Sequence, residues 1–416
     1  MRKINNNKVV QIVYIVIIVF LIADFILERT LSFYNVRAAR QPIPSLLSGI
    51  YSDSQYRKQQ LYFQVNTKFG LISSSFSLLL MLVMYGFGGF GWLDGVVSSW
   101  FHHPILISLT FFGILFIVND LISIPFEWYD TFVIEERFGF NKVTPKLFVI
   151  DKLKGYALTV IIGGSILAFV MWIYQLNPEY FWLIAWVFIT AISLFMSMFY
   201  SELIVPLFNK QTPLPAGELR DAIEKFSVKS NFQLKNIYVI DGSKRSTKAN
   251  AYFTGLGKKK RIVLYDTLIN DLTTDEIVAV LAHEVGHYKH KHTLKNMLLN
   301  LPYSLLIFFL IGVMLKSNVL AQALGGAHAS FHLNMLAFGI LYSPVSLVLG
   351  LGMNILSRKF EYQADSYVKE NGLNNELISS LKKISSKALS NLTPHPAYVF
   401  VHYSHPTLLQ RVKALI

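Results

Sequence analysis

A mainly α fold is what the sequence predicts: a bundle of seven membrane-spanning helices carrying a polar cytoplasmic region that includes a small β-sheet. Three observations lead there. Of 416 residues, 53% are hydrophobic and 15% charged, against roughly 25% charged in soluble domains. Seven stretches, at 9–27, 69–90, 104–126, 156–176, 181–200, 297–315 and 331–351, approach the roughly 20 apolar residues that a helix needs to cross a hydrocarbon core. Finally, 34 of the 38 Lys and Arg lie in segments 28–68, 127–155, 201–296 and 352–416, which are alternate connections of a seven-span chain. An excess of Lys and Arg marks the cytoplasmic side. The N-terminus is therefore expected outside or in a lumen, and the long loop and the C-terminus in the cytoplasm.

The first stretch follows Arg2, Lys3 and Lys8 and is longer than the apolar core of a signal peptide, with no convincing small-residue cleavage site after it. It is read as an uncleaved anchor. Asp120, inside the third stretch, is costly against lipid, so it is expected to face the bundle interior, a water-filled space or the cytoplasmic headgroups. The net charge of +13 belongs to this cytoplasmic bias and not to nucleic-acid binding; membrane lipid is the expected surrounding. The chain has no Cys, which excludes disulfides, thiolate zinc sites and cysteine nucleophiles. Any metal must be held by His and carboxylates.

The expected organisation is spans one to five with their loops over 1–206, a cytoplasmic segment over 207–296, spans six and seven over 297–351, and a second cytoplasmic segment over 352–416. Within the first cytoplasmic segment, "NIYVI" (236–240), "NAYFTGL" (250–256) and "RIVLYDTL" (261–268) are rich in β-branched and aromatic residues and read as short strands, the last two joined by a turn through Gly257. The basic run Lys258–Arg261 reads as a solvated turn near anionic headgroups, with no specific ligand. Thr273 with Glu276 three residues on is a capping-box signature, and Asp275 suits the same helix N-terminus.

That helix contains His283, Glu284 and His287 as His-Glu-x-x-His. Residues four apart share a helix face, so the two imidazoles can be directed at one point with Glu284 beside them. Two such imidazoles suit zinc, which brings a bound water toward neutrality, while the carboxylate takes the water's proton and passes it to a leaving amine. His290 and His292 suit the basic end of the helix and are read as polar residues there, not as ligands.

A catalytic zinc takes three protein ligands and keeps one open position. The candidate third ligand is Glu361, in the helix-like segment "RKFEYQADSYVKEN" (358–371) directly after the seventh span. Asp365, four residues on, could accept the other ring N–H of a ligand histidine. Two spans separate His287 from Glu361, so both fall on one side of the membrane.

The segments "HEVGH", "EYQAD", "NAYFTGL…KKRIVLYDTLI", "FVIEERFGFNKVTPKLF" (132–148) and "YSHPTLLQRV" (403–412) together resemble the integral-membrane zinc endopeptidases of the type I CAAX prenyl protease family, over nearly the whole chain. The resemblance implies seven helices enclosing a water-filled chamber, a zincin-like catalytic domain at its cytoplasmic end, one zinc ion, and a peptide or lipidated protein substrate paired to an edge strand. Family members remove C-terminal residues from prenylated proteins, and some also cut an N-terminal segment. By the same resemblance His283, His287 and Glu361 match zinc ligands, Glu284 the catalytic base, Asn250 a residue beside the bound peptide, His405 a donor to the oxyanion and Arg411 a basic residue near the substrate end.

One departure is visible: Lys248 and Ala249 stand where the family often has His-Ser. The C-terminal "VKALI" carries no retention signal, which leaves a bacterial or archaeal inner membrane beside the endoplasmic reticulum as the expected location. Two other functions compete with processing of prenylated proteins. A membrane quality-control zinc protease would keep the chemistry and change the substrate; a non-enzymatic multi-span protein would use the histidines structurally and hold no stoichiometric zinc. No oligomeric state is implied.

Overall fold

The structure, a computed structural model, describes residues 6–232, 236–254 and 261–416. Runs of Ile, Leu, Val and Phe let α1 (Asn6–Ala38) and α2 (Asp53–Gly86) extend to 33 and 34 residues, about 50 Å each at 1.5 Å per residue. Both overshoot the stretches expected at 9–27 and 69–90, because more polar residues continue the helix beyond the apolar run, after it in α1 and before it in α2. In α2 the start is set by a capping box between Ser52 and Gln55. Ile12, Ile15 and Leu79 are more than half exposed, as suits helices whose outer face meets hydrocarbon instead of protein.

A short helix, α3 (Gly89–Trp100), leads to α4 (Pro104–Tyr129), which runs directly into a π-helical segment, Asp130–Glu135. The next span is α5 (Pro145–Leu158) and α6 (Ser165–Leu176), joined through a second π-helical stretch, Thr159–Gly164. α7 (Phe181–Leu203) completes the N-terminal five. Asp120 in α4 is matched by the following span: Lys152 Nζ lies 2.8 Å from it and 2.7 Å from Glu127, and Tyr156 donates to its second oxygen.

The polar segment after α7 comprises β1 (Gln211–Pro213), α8 (Glu218–Lys229), β2 (Asn236–Ile240), β3 (Ala251–Thr254), β4 (Arg261–Tyr265), α9 (Asp266–Asp271) and α10 (Thr274–Lys289). The sheet order is β1-β2-β4-β3, with β2 and β4 parallel and the outer pairs antiparallel. β4 stops at Tyr265 because Asp266 opens α9, its Oδ1 accepting the Thr267 N–H at 2.8 Å; the strand expected to 268 is therefore shorter. The turn expected at Gly257 lies outside the described residues. β1, not expected from the sequence, is a three-residue edge strand ending in Pro213, a position where proline's missing N–H costs no ladder bond.

The chain then crosses as α11 (His292–Met314), turns through α12 (Asn318–Ala323), and returns as α13 (Phe331–Leu341) and α14 (Ser343–Glu370). Among the described residues six helices are long and apolar enough to span, and α13 with α14 makes a seventh that bends by 51°. The span expected over 331–351 is broken where Pro344, in the first turn of α14, has no N–H to continue the ladder. α15 (Asn374–Lys387), α16 (Pro396–His402) and α17 (Leu408–Leu415) follow.

α10 lies at the centre of the core that the sheet forms with the C-terminal helices. Its Ile277, Leu281 and Val285 share one cluster with Ile262 and Leu264 of the sheet, Val368 of α14 and Leu377 of α15. Gly286 allows close approach, since a Cβ there would lie 2.9 Å from the Ala364 Cα. This core is tied to the membrane helices beside the π-helical segment. Arg245 grips Asp151 with two bonds of 2.9 and 3.0 Å, Thr247 N–H donates to the Phe140 carbonyl at 3.1 Å, and Asn141 bridges Ser246.

Candidate metal centre

The capping box expected from the sequence starts α10: Thr273 Oγ1 accepts the Glu276 N–H and Glu276 Oε2 accepts the Thr273 N–H at 2.8 Å. The helix so begun carries His283 and His287 one turn apart, and α14 crosses it with Glu361 facing both. One ligand atom from each of His283, His287 and Glu361 lies within 4.8 Å of the others. His283 Nε2 is 3.1 Å from His287 Nε2 and 3.3 Å from Glu361 Oε2, and His287 Nε2 is 3.2 Å from Glu361 Oε1. Two imidazoles and a carboxylate, two of them buried, therefore point at one spot.

The surroundings of each group set its proton. His283 Nδ1 lies 2.9 Å from Asp365 Oδ1, one turn along α14 from Glu361. Arg411, from α17, grips Asp365 with Nε at 2.9 Å and Nη2 at 2.6 Å. A guanidinium only donates, so the Nδ1 proton goes to Asp365, and Arg411 Nη2, 3.2 Å from that nitrogen, is directed at the carboxylate. The Nε2 lone pair of His283 is thereby left facing the centre. Arg411, expected near the substrate end, stands behind the cluster as the clamp on Asp365, with its Nη1 3.7 Å from Glu361 Oε2.

His287 is oriented by a residue that the sequence reading assigned to the helix end. α10 stops at His290, and Lys291, with φ 55°, turns the chain so that His292 opens α11. His292 is buried, its Nδ1 2.9 Å from His287 Nδ1 and its Nε2 2.8 Å from Gln363 Oε1, and it stacks on Phe360 with 4.1 Å between ring centroids. The pairing is self-consistent: His287 Nδ1–H donates to His292, and His292 Nε2–H donates to Gln363. Two neighbours of Glu361 on α14 thus hold the histidine that orients His287. His290 remains exposed. The spacing of "KHKH" gives no sign of this, because the reversal at Lys291 breaks the helical period.

Glu284 is half-buried beside the two histidines and has no hydrogen bond or ion pair to another described side chain. His405 Nε2 lies 3.3 Å from Glu361 Oε1, with its side chain 62% exposed. α14 also holds the segment that delivers it: Asn354 donates to the Val401 carbonyl at 2.7 Å and Arg358 to the Tyr403 carbonyl at 2.5 Å. Asn250 precedes β3, which is an edge strand of the sheet. Its Oδ1 accepts the Ala251 N–H at 2.9 Å, and with Tyr252, Tyr265 and Tyr200 it lines a cavity of about 740 Å³ beside α7. Lys248, at the family departure, reaches Glu135 of the π-helical segment at 2.7 Å and Tyr62 of α2 at 3.1 Å. Burial opposes its charge, but these two bonds outweigh burial and raise its pKa.

Residues 32–210 match the family described as CAAX prenyl protease N-terminal, five membrane helices, and residues 213–416 match Peptidase family M48. The chain is 36% identical to a CAAX prenyl protease 1 homolog of Arabidopsis thaliana, with 95% of this chain and 96% of that protein covered. It is 35% identical to CAAX prenyl protease 1 of Saccharomyces cerevisiae, with 95% and 93% covered, and 32% identical to the Homo sapiens homolog, with the same shares covered. The crystal structure of S. mikatae Ste24p superposes with a TM-score of 0.92 at 34% identity, covering 97% of this chain and 99% of that one. This chain is a multi-pass membrane metalloendopeptidase, and it belongs to peptidase family M48, in the branch that carries the five-helix CAAX prenyl protease N-terminal region.

Proposed function

We propose that the protein is a zinc endopeptidase that hydrolyses a peptide bond near the C-terminus of prenylated, CAAX-type proteins at the cytoplasmic face of its membrane. The observation that carries this reading is the convergence of His283, His287 and Glu361. A tetrahedral zinc with bonds of about 2.0–2.1 Å has ligand atoms about 3.3 Å apart, and the three separations here are 3.1, 3.3 and 3.2 Å. Among the described residues Glu361 Oε2 is buried without a hydrogen-bond partner, as an acceptor intended for a cation would be. The donor set, imidazole nitrogen and carboxylate oxygen without thiolate, suits zinc.

When bound, zinc supplies Lewis-acid polarisation to water and to the scissile carbonyl. Glu284, half-buried beside the two histidines, accepts the proton of the water whose oxygen adds to the carbonyl carbon, and returns it to the amine nitrogen as the C–N bond breaks. His405 donates to the carbonyl oxygen as it gains charge, a contribution commonly of two to three orders of magnitude. Substrate backbone pairs with the free edge of β3 beside Asn250, the usual way an extended peptide is held. The cytoplasmic placement rests on the distribution of Lys and Arg. Support for the substrate class comes from the names of the relatives together with their near-complete coverage of this chain.

The test is cleavage of a farnesylated CAAX peptide by detergent-purified protein, read beside its zinc content. Glu284→Gln should keep the metal and lose about 10²–10⁴-fold in rate. Full activity in that variant, or in protein stripped by chelator, would overturn the mechanism.

A further inference from the structure

We propose that the cytoplasmic end of the cleft between α2 and α4 is a binding site for one anionic phospholipid. The cleft is a cavity of about 520 Å³ walled by Phe69 and Ile72 of α2 and by Pro125, Phe126 and Tyr129 of α4, with Lys68 and Arg137 among its lining residues. Both cations are exposed, and among the described residues neither has a carboxylate within ion-pair distance. Arg137 only lies over the ring of its neighbour Phe138, at 5.7 Å.

The carboxylates near this cleft are held by other cations. Lys152 holds Asp120 and Glu127, Arg245 holds Asp151, and Lys248 holds Glu135. The carboxylates closest in sequence to Arg137 are engaged elsewhere, Glu135 by Lys248 and Tyr62, Glu136 by Asn141 at 2.9 Å. Two positive charges at an apolar cleft are thus left for a ligand that brings its own anion and its own hydrocarbon.

The backbone explains why a cleft exists here. Pro125 interrupts the hydrogen-bond ladder of α4, and the π-helical turn from Asp130 to Glu135 follows at once; such turns break the regular surface that helices use to interlock. α2 and α4 meet here through rings, with Phe69 stacked on Tyr129 at 5.5 Å and Phe76 against Phe126 at 5.3 Å. Depth fits as well. The Lys and Arg of segments 28–68 and 127–155 put this end at the cytoplasmic headgroups, and half-exposed Trp128 and Tyr129 mark the same level. Ile72 is one turn further into the hydrocarbon than Lys68. A phosphate held by Lys68 and Arg137 therefore places an acyl chain along Phe69 and Ile72. A zwitterionic lipid gains less, because its own cation competes, and a soluble phosphate leaves the apolar wall uncovered.

The experiment counts lipids retained by the full-length protein in native mass spectrometry, after exchange into detergent with equimolar phosphatidylglycerol and phosphatidylcholine. One phosphatidylglycerol should be retained in preference. Lys68→Gln with Arg137→Gln should weaken its retention roughly twenty-fivefold, about fivefold per cation, and leave phosphatidylcholine unchanged. Ile72→Asn should weaken it with both cations in place, and millimolar inorganic phosphate should not displace it. Zinc content of each preparation reports folding. Should the double variant lose zinc, the charge-keeping pair Lys68→Arg and Arg137→Lys decides, since it must retain the lipid. Equal retention of both lipids by the wild type, undiminished retention by a folded double variant, loss from the charge-keeping pair, or displacement by phosphate overturns the proposal.

Discussion

Two buried histidines sit beside aspartates in this molecule, and their surroundings differ in kind. His283 in α10 lies 2.9 Å from Asp365, and His332 in α13 lies 2.7 Å from Asp94 of α3. At His332 both ring nitrogens are used: Nε2 meets Asp94, and Nδ1 meets the buried Ser108 hydroxyl of α4 at 2.9 Å. Phe111 closes the ring face at 4.4 Å. Donors and acceptors balance, and the cluster locks three helices together at one end of the bundle. At His283 the balance fails. Asp365 takes one proton, and the other nitrogen faces a second imidazole and a carboxylate, so acceptors outnumber protons and Glu361 Oε2 is left over. Buried acceptors without donors are expensive, and a cation resolves the deficit. The contrast separates the proposed metal centre from a structural lock more sharply than histidine count or burial does.

The largest test of that contrast is on the surplus side. Asp365→Asn removes the charge that keeps the His283 Nε2 lone pair aimed inward, and His292→Ala removes the acceptor for His287 Nδ1–H. Each should weaken metal binding about 10–100-fold, the usual cost of losing a residue that orients a metal ligand. Competition with a chelator, followed by metal analysis, measures this independently of catalysis. Wild-type metal retention in both variants would mean that the ligands are held by packing alone.

These orienting residues also show where sequence reasoning stops. The i, i+4 pattern of His283 and His287 is legible because a helix repeats every 3.6 residues. Glu361 and Asp365 are legible because counting spans puts them on the same side. His292 is not, since it faces His287 only after Lys291 adopts a left-handed conformation. Nor is the lock, because Asp94 and His332 are 238 residues apart and no local pattern joins them. The seven-span outline was readable from apolar runs and charge. The bend between α13 and α14 had one local sign, Pro344, and the π-helical turn after α4, a rare element, had none.

A smaller effect is expected from the balanced cluster. His332→Leu leaves Asp94 and Ser108 without their shared partner inside the bundle. Stability should fall by about 1–2 kcal/mol, the penalty for stranding buried polar groups, with metal content equal to wild type. A fluorescence melting curve and metal analysis on one preparation read both. Loss of metal alongside the lowered melting temperature would mean that the two clusters are coupled through the bundle, and the distinction between lock and centre would fail.

The smallest effect separates the two ends of α10 itself. At its N-terminal end Glu276 is buried, but its oxygens are matched: Ser379 Oγ donates at 2.6 Å, Lys383 Nζ lies at 2.7 Å, and the Thr273 N–H donates at 2.8 Å. Burial works to raise this carboxyl, and Lys383, Ser379 and the Thr273 N–H outweigh it, holding its pKa below the ordinary 4.5. A depressed folded-state pKa means that the stabilisation is complete above the unfolded value and is lost as pH falls through about 4.5 toward the folded one. Lys383 is half-exposed, so solvent screening limits the gain to about 0.5–1 kcal/mol. Glu276→Gln keeps the capping box, because glutamine serves at that position as well, and removes only the charge. The melting-temperature gap between wild type and Glu276→Gln should therefore be widest near pH 7, narrow below pH 4.5, and shrink in high salt. A gap that stays constant from pH 7 to pH 4 would show that the Glu276 charge is not what the cluster uses, and that matched pairing at this end of α10 rests on hydrogen-bond geometry alone.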